Sequence, residues 1–390
     1  MSIQSLKSNN IYFSSRYKQD DDYRKNLANG LKSEYGINVS PDSLKSVLGA
    51  QELAYLLKNE LKPENFSIGE NFQNINDGRF RVNLHMHTNY SDGKMSPKKL
   101  LDQTKKYAEY RAALGKIDPV IVGITDHDTV NGAREAVKII SQHPEDYENI
   151  RLVTGVEFNA YYPSENRKIQ LEAIGYSINP FKTVLPVDED VAKFLEKGRT
   201  KNDQYLQELV KGTGTTLGEI KKQSKFIKDL GSPAFMRSVK TALEKISSRS
   251  NVDLIMQKHD TQYGNIYINP GTPSVQEIAG IVNKSGNGFV GIAHPGRSFK
   301  PERGFNKADI DNLFKSFKNF GIKAAEYNYQ YYPKDKDGNN LYGDIQSKIE
   351  RNDMLKTGGL DCHRDNIFSG RRKNSDLTKL PADIQDILES

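Results

Sequence analysis

The chain has 390 residues, 36% of them hydrophobic and 27% charged, with a formal net charge of +6. That balance describes a soluble globular protein of one large domain with additions, or of two domains, and excludes a disordered polyelectrolyte. No apolar run approaches the roughly 20 residues needed to cross a bilayer. The first ten residues lack the apolar stretch of a secretory signal, so a cytoplasmic location without membrane contact is expected. The single cysteine, Cys362, leaves no internal disulfide and no thiolate metal cage. Any metal would be held by imidazole and carboxylate, donors that suit zinc, manganese or iron. The mild positive charge favours a phosphate-bearing partner, but lysines and arginines scattered over a solvated surface would give the same number.

Residues 1–80 read as an N-terminal extension, partly helical and without chemistry of its own. Residues 1–24, with the run Asp20-Asp21-Asp22, read as a poorly ordered end. Ser40-Pro41-Asp42 reads as a helix start, with serine as N-cap and proline in the first turn. Leu44, Val47, Leu48, Leu53, Leu56, Leu57 and Leu61 follow at helical spacing, and Pro63 ends the run. Beyond residue 80, short apolar runs alternate with helical segments, the rhythm of α/β architecture. Strands are expected at Arg81–His85, Pro119–Thr125, Arg151–Glu157, Lys168–Tyr176, Gly288–His294, Ile322–Tyr327 and Thr357–Asp361. Residues 81–184 and 286–390 would form one α/β unit. Residues 185–285, with helices expected at Val187–Gly212, Thr216–Leu230 and Ala234–Ile246, would be a helical subdomain inserted in a loop.

Chemistry-bearing residues gather where these strands run out. The first leads into His85-Met86-His87, followed by Ser91-Asp92-Gly93; residues two apart on a strand share a side, so both histidines can serve one ion. The second leads into Thr125-Asp126-His127-Asp128, the third ends at Glu157, and the fourth carries Glu172 inside an apolar stretch. The fifth reaches His294-Pro295-Gly296-Arg297, the sixth Glu326, and the seventh Asp361-Cys362-His363. The chain has seven histidines, and five of them sit at these ends; His143 and His259 read as loop residues. In a parallel barrel the carboxyl ends of the strands share one face, where active sites are built. Five imidazoles and several carboxylates buried together there would be costly without a cation to organise them.

The ordered motifs H-x-H, Ser-Asp-Gly, Thr-Asp-His-Asp, Gly-Val-Glu, Ala-His-Pro and Asp-x-His, over about residues 81–370, resemble the PHP (polymerase and histidinol phosphatase) superfamily. The resemblance implies a distorted seven-stranded (β/α)7 TIM-like barrel with a two- or three-metal site that hydrolyses phosphoesters by a metal-activated hydroxide. It is strongest towards the branch that dephosphorylates nucleotides or degrades short oligonucleotides from the 5′ end. Carried over, it puts His85, His87, Glu157 and Asp361 around one divalent ion and Asp92, His127 and His363 around another. A third ion would lie among Glu157, His294 and Glu172. Relatives commonly have histidine at the last position, so the alternatives are an oxygen-richer third site or a two-metal centre without Glu172. A second departure is Ala234, where relatives often place histidine.

His294, His363 and Asp361 are the candidates for catalysis, His294 or His363 as proton donor to the leaving oxygen. Arg297, then Arg199 and Arg237, are candidates for a second substrate phosphate, since a guanidinium fork pairs with phosphate oxygens. Tyr327, Tyr329, Tyr331 and Tyr332 would stack on a base or form a lid. The expected partner is a phosphorylated small molecule, nucleotide or short oligonucleotide, not duplex nucleic acid. Competing readings are a histidinol-phosphate-type phosphatase, a proofreading-type exonuclease, or a non-catalytic metal-binding module. Amidohydrolases also open with H-x-H, but they typically bridge their metals with a lysine where this chain has Glu157.

Overall fold

The computed structural model describes residues 18–66, 75–164, 167–223, 236–285, 288–299, 307–328 and 342–368. Seven strands form one sheet in chain order: β1 Val82–Met86, β2 Val120–Ile124, β3 Ile150–Ser164, β4 Arg167–Tyr176, β5 Phe289–Ile292, β6 Ala324–Asn328 and β7 Leu355–Gly358. The ring closes just beyond β7. Cys362 bridges Met86, its amide donating to the His85 carbonyl at 3.2 Å and its carbonyl accepting from the His87 amide at 2.9 Å.

The expected strands are all present, but β4 departs from a (β/α)7 pattern. It pairs antiparallel with both β3 and β5, whereas the other pairings between neighbouring strands are parallel. A parallel neighbour needs a crossover of a dozen residues, and only residues 165 and 166 separate β3 from β4, so the chain turns straight back. β3 also continues to Ser164, which leaves Glu157 in mid-strand. Because β4 runs the other way, its mid-strand residue Glu172 lies opposite Asn159, beside Glu157.

One buried apolar cluster collects Val82, Ile121, Val153, Phe289 and Ala324 from the starts of five strands and Tyr176 from the end of β4, with Leu355 packed against it. These residues mark the base of the barrel, since the reversed strand contributes its last residue where the others contribute their first. Leu84 and Ile174 lie above them. Gly291 leaves room for the Tyr176 ring, whose edge would lie 3.0 Å from an added Cβ. The interior therefore changes along the axis from apolar at the base to ionisable at the carboxyl ends of the parallel strands.

The N-terminal residues complete this base. Leu53, Leu56 and Leu57 of helix Ala50–Asn59, with Leu48, Leu61 and Phe66, belong to the same cluster as the strand starts. Leu48 donates its amide to the Leu152 carbonyl and Ser46 accepts from the Leu152 amide, at 2.8 and 2.7 Å. This edge pairing interrupts the helix expected from Ser40 onwards. Ser40 does cap a short 3₁₀ turn, Pro41–Leu44, but the α-helix starts only after Gly49. Leucines at helical spacing cannot reveal that break.

The aspartate run is ordered, contrary to expectation; residues 1–17 lie outside the described part. Asp20 stands in the first turn of helix Lys18–Tyr35 and accepts from the amides of Gln51 and Glu52 at 3.2 and 2.8 Å. It thus caps the second helix, whose own N-cap Gly49 has no side chain to do so. Arg24 pairs with Glu52 beside it.

Four helices, Val191–Leu209, Leu217–Gln223, Met236–Ile246 and Arg249–Tyr263, share a separate apolar cluster that includes Leu206, Ile220, Val239, Leu243 and Ile255. No helix among the described residues is long and apolar enough to cross a membrane. Two substitutions test the base: Leu53→Ala should cost about 3 kcal/mol through the cavity left, and Asp20→Ala about 1 kcal/mol through the lost cap. Denaturant unfolding of the metal-free protein measures both; unchanged stability in Leu53→Ala would contradict the assigned packing.

Candidate metal centre

The residues at the upper end of the barrel are brought together by local backbone devices. A register shift in β1 between Asn83 and Met86 breaks the simple alternation. Within it, Leu84 joins the interior cluster; at its end, Met86 joins the outer core with Ile124. His85 and His87 are thereby aimed together at Glu157. The loop that follows is tied down by the buried Asp126, which accepts from the Thr88 amide, the Thr88 hydroxyl and the Ser91 hydroxyl at 2.7, 2.7 and 2.6 Å. Gly93 is required in this loop, because a Cβ there would sit 2.2 Å from the His87 carbonyl oxygen. His127 bridges Glu157, so the end of β2 runs along β3.

Asp128, His294 and Asp361 have left-handed backbones, with φ of 50°, 27° and 49°. Such conformations are disfavoured for residues with a Cβ and persist where surrounding contacts over-determine them. β5 ends at Ile292, before the expected His294, which instead leads into the single helical turn Pro295–Ser298. β7 ends at Gly358, and Asp361 and His363 stand on the segment beyond it.

Three groups of donors could each hold a cation, their ligand atoms lying within 4.8 Å of one another. His85, His87, Glu157 and Asp361 form one, and all four are buried. His87, Asp92, His127 and His363 form the second, and His127, Glu157 and Glu172 the third. The first matches the expected set, and the second adds His87 to it. In the third, His127 joins the two glutamates, while His294 stands beside them with Nε2 at 2.9 Å from Glu157 and 3.3 Å from Glu172. His143, Glu145 and Asp146 make a further, fully exposed group that needs no ion to explain it.

The decisive geometry surrounds one oxygen. His85 Nε2, His87 Nε2 and His127 Nδ1 lie 3.0, 3.1 and 3.2 Å from Glu157 Oε2. These four atoms are buried, and none has a hydrogen-bond partner among the described residues. Near-universal satisfaction is the rule for buried polar atoms. Ring nitrogens that crowd a carboxylate oxygen without bonding it are directed at the space between them, the arrangement a shared cation requires. The donor set fits divalent metal ions.

Electrostatics agree. Burial alone would lower the pKa of His85, but Glu157, Glu326 and Asp361 outweigh it and hold it well above the ordinary value. For His87, burial is likewise outweighed, by Asp361 and Glu157, and the value is pushed up to about 9. His127 goes the other way, to about 4, because burial prevails. Burial would raise Asp92, yet His127, His363 and His87 hold it well below the usual carboxylate range. Burial lifts Asp128 to about 7.

The remaining expected residues divide. Arg297 reaches the centre, with Nη1 3.6 Å from Asp361 and 3.9 Å from Glu172 and a side chain one-quarter exposed (25%). Arg199 is half-buried on helix Val191–Leu209, where Asp128 is among the acids acting on it. Arg237 lies at the start of helix Met236–Ile246, with its side chain outside the described part, as are Ala234, Tyr329, Tyr331 and Tyr332. Tyr327 donates to Glu350 at 2.9 Å and has Lys356 over its ring, so it is engaged in packing. His259 is no loop residue: it is buried in helix Arg249–Tyr263 and contacts the Tyr205 hydroxyl at 2.9 Å. Asp126 was legible as a motif member, but nothing in the motif showed that it holds the His87–Asp92 loop.

No protein-family model matches the sequence, and no curated protein matches it at a significant level. The solved structures that match include the following two. One is a protein of Bifidobacterium adolescentis provisionally described as a metal-dependent phosphoesterase, 21% identical, covering 72% of this chain and 87% of its own, at a TM-score of 0.44. The other is an amidohydrolase from Chromobacterium violaceum, 19% identical, covering 79% and 96%, at a TM-score of 0.45. Likeness at this level leaves the chemistry to the geometry of the site itself.

Metals bind neutral imidazole, so cations must displace the protons that His85 and His87 carry near neutrality. Both pKa values are raised, that of His87 to about 9, hence metal affinity should climb as pH rises from neutrality. Calorimetric zinc titration at pH 7 in two buffers of different ionisation enthalpy should show net proton release; a buffer-independent heat would contradict this.

Proposed function

We propose that the chain is a metal-dependent phosphoesterase that hydrolyses phosphomonoesters or phosphodiesters, with a nucleotide or short oligonucleotide as substrate. The observation that carries the reading is the shared use of His87, His127 and Glu157 by three adjoining donor groups, with a guanidinium at their edge. Adjoining cation positions suit displacement at phosphorus, where attacking and leaving oxygens both need their charge compensated. Two or three divalent ions, manganese, zinc or iron, would be held by His85, His87, Asp92, His127, Glu157, Glu172, His294, Asp361 and His363. When bound they would acidify water and neutralise phosphoryl charge.

The chain's own residues supply the rest. Arg297, beside Asp361 and Glu172, would exchange those contacts for phosphoryl oxygens of the substrate. Water adds to phosphorus as the ester P–O bond breaks; the departing alkoxide takes a proton from His294 or His363, whichever is not engaged as a ligand, and the proton the water sheds restores that imidazole. Both imidazoles already contact carboxylates: His294 meets Glu157 at 2.9 Å and His363 meets Asp92 at 2.9 Å. Those contacts can hold the rings in place. Arg199, on the helical segment, is the nearest further candidate for a second anionic group of a nucleotide. A histidinol-phosphate-type substrate would use the same metal chemistry and no such second group.

A panel of phosphorylated metabolites, bisphosphorylated nucleotides and 5′-phosphorylated oligonucleotides, offered to the manganese-loaded protein, tests the reading. Turnover of the nucleotides should exceed that of histidinol phosphate. Asp361→Ala and His87→Ala should each lower kcat at least 10³-fold, on the order of what loss of a principal electrostatic contact costs, with far-UV circular dichroism unchanged. Arg297→Ala should mainly raise KM. Retained activity in the Asp361 or His87 variant would remove the assigned site.

A further inference from the structure

Glu326 is 1% exposed, stands on β6, and belongs to none of the three donor groups. Both of its oxygens are committed to other parts of the centre. Oε1 lies 2.9 Å from His85 Nδ1, and Oε2 accepts a hydrogen bond from the His294 backbone amide. The two histidines come from β1 and from the end of β5, so a single carboxylate reaches elements separated by β7 on one side and adjoining β6 on the other. We propose that Glu326 is a positioning residue that selects which nitrogen of His85 faces the cations and holds the strained His294 backbone that aims the neighbouring ring.

The proposal rests on the metal-dependent reading above and goes one layer below it. A carboxylate facing Nδ1 keeps the proton there, which leaves the Nε2 lone pair as the only donor of a neutral ring. That Nε2 is the atom 3.0 Å from Glu157 Oε2 and 3.5 Å from Asp361 Oδ1. At His294, φ of 27° and ψ of 62° would relax if the amide were free to turn. Its bond to Glu326 opposes that turn, and the ring stays between Glu157 and Glu172. The two tasks together cannot pass to an amide side chain. A glutamine at position 326 retains one acceptor oxygen, so it can serve His85 or the His294 amide but not both.

The test uses full-length protein labelled with ¹⁵N-histidine and loaded with zinc, a diamagnetic probe. In the wild type, His85 should show zinc on Nε2 and a hydrogen-bonded proton on Nδ1. Glu326→Gln should weaken one zinc by about 10–100-fold, the range typical of lost outer contacts, and shift or broaden away the His85 Nδ1 proton. The other zinc should hold its affinity in competition with a chromophoric chelator, and the metal-free melting temperature should stay near the wild-type value. Glu326→Asp, which keeps two acceptors on a shorter stem, should recover part of the loss. If Glu326→Gln binds every zinc as tightly as the wild type, the inference fails while the metal-dependent reading stands. Should Glu326→Gln not fold, the wild-type spectrum decides: zinc on Nδ1 of His85 overturns the proposal, and zinc on Nε2 with a bonded Nδ1 proton supports it. Wild-type protein that takes up no zinc, manganese or iron overturns both readings together.

Discussion

The upper half of this protein is organised around the burial of one carboxylate oxygen. Glu157 Oε2 has three imidazole nitrogens within 3.2 Å and a hydrogen bond to none of them. Taking a carboxylate out of water costs several kcal/mol unless another charge compensates it. Its surroundings serve that constraint: the shifted register in β1, the left-handed backbones at Asp128, His294 and Asp361, and the ring closure through Cys362. Each departs from regular barrel geometry, and each lies at or beside a member of the donor groups. Ser177 and Asp353, near the other end, are left-handed as well, but the departures beside the donor groups fit a backbone dictated by chemistry there.

The three donor groups differ in chemical character. The group of His87, Asp92, His127 and His363 is rich in nitrogen, whereas that of His127, Glu157 and Glu172 is mostly oxygen. Nitrogen-rich sets favour zinc or iron, and carboxylate-rich sets favour harder ions such as manganese. The carboxylate of Glu172 therefore bears on which metals the third group would favour.

Much of this was readable from the chain alone, because strand positions and the placement of histidines at their ends are local signals. The seven apolar runs each became a strand, and the expected ligands converge. What remained hidden was non-local. An apolar run looks the same in either direction, so nothing within Lys168–Tyr176 announced that β4 is reversed; the shortness of its link to β3 was the available clue. The break at Gly49 depends on pairing with Leu152, about a hundred residues away. Asp20 seemed part of a loose end because the amides it caps belong to another helix. The union of His85 with Glu326 spans 241 positions and leaves no trace in spacing. Residues that make chemistry were legible by type; residues that hold them still were not.

The leucine-lined helix beneath the strands has one further implication. Helix Ala50–Asn59 and its neighbours fill the lower end of the cylinder, so among the described residues the ionisable chamber has no rear exit. Among the described residues, approach to the donor groups is left to the opposite end. On the proposed reading, departure of product and arrival of substrate would share one route, a traffic rule imposed by a segment that belongs to none of the donor groups.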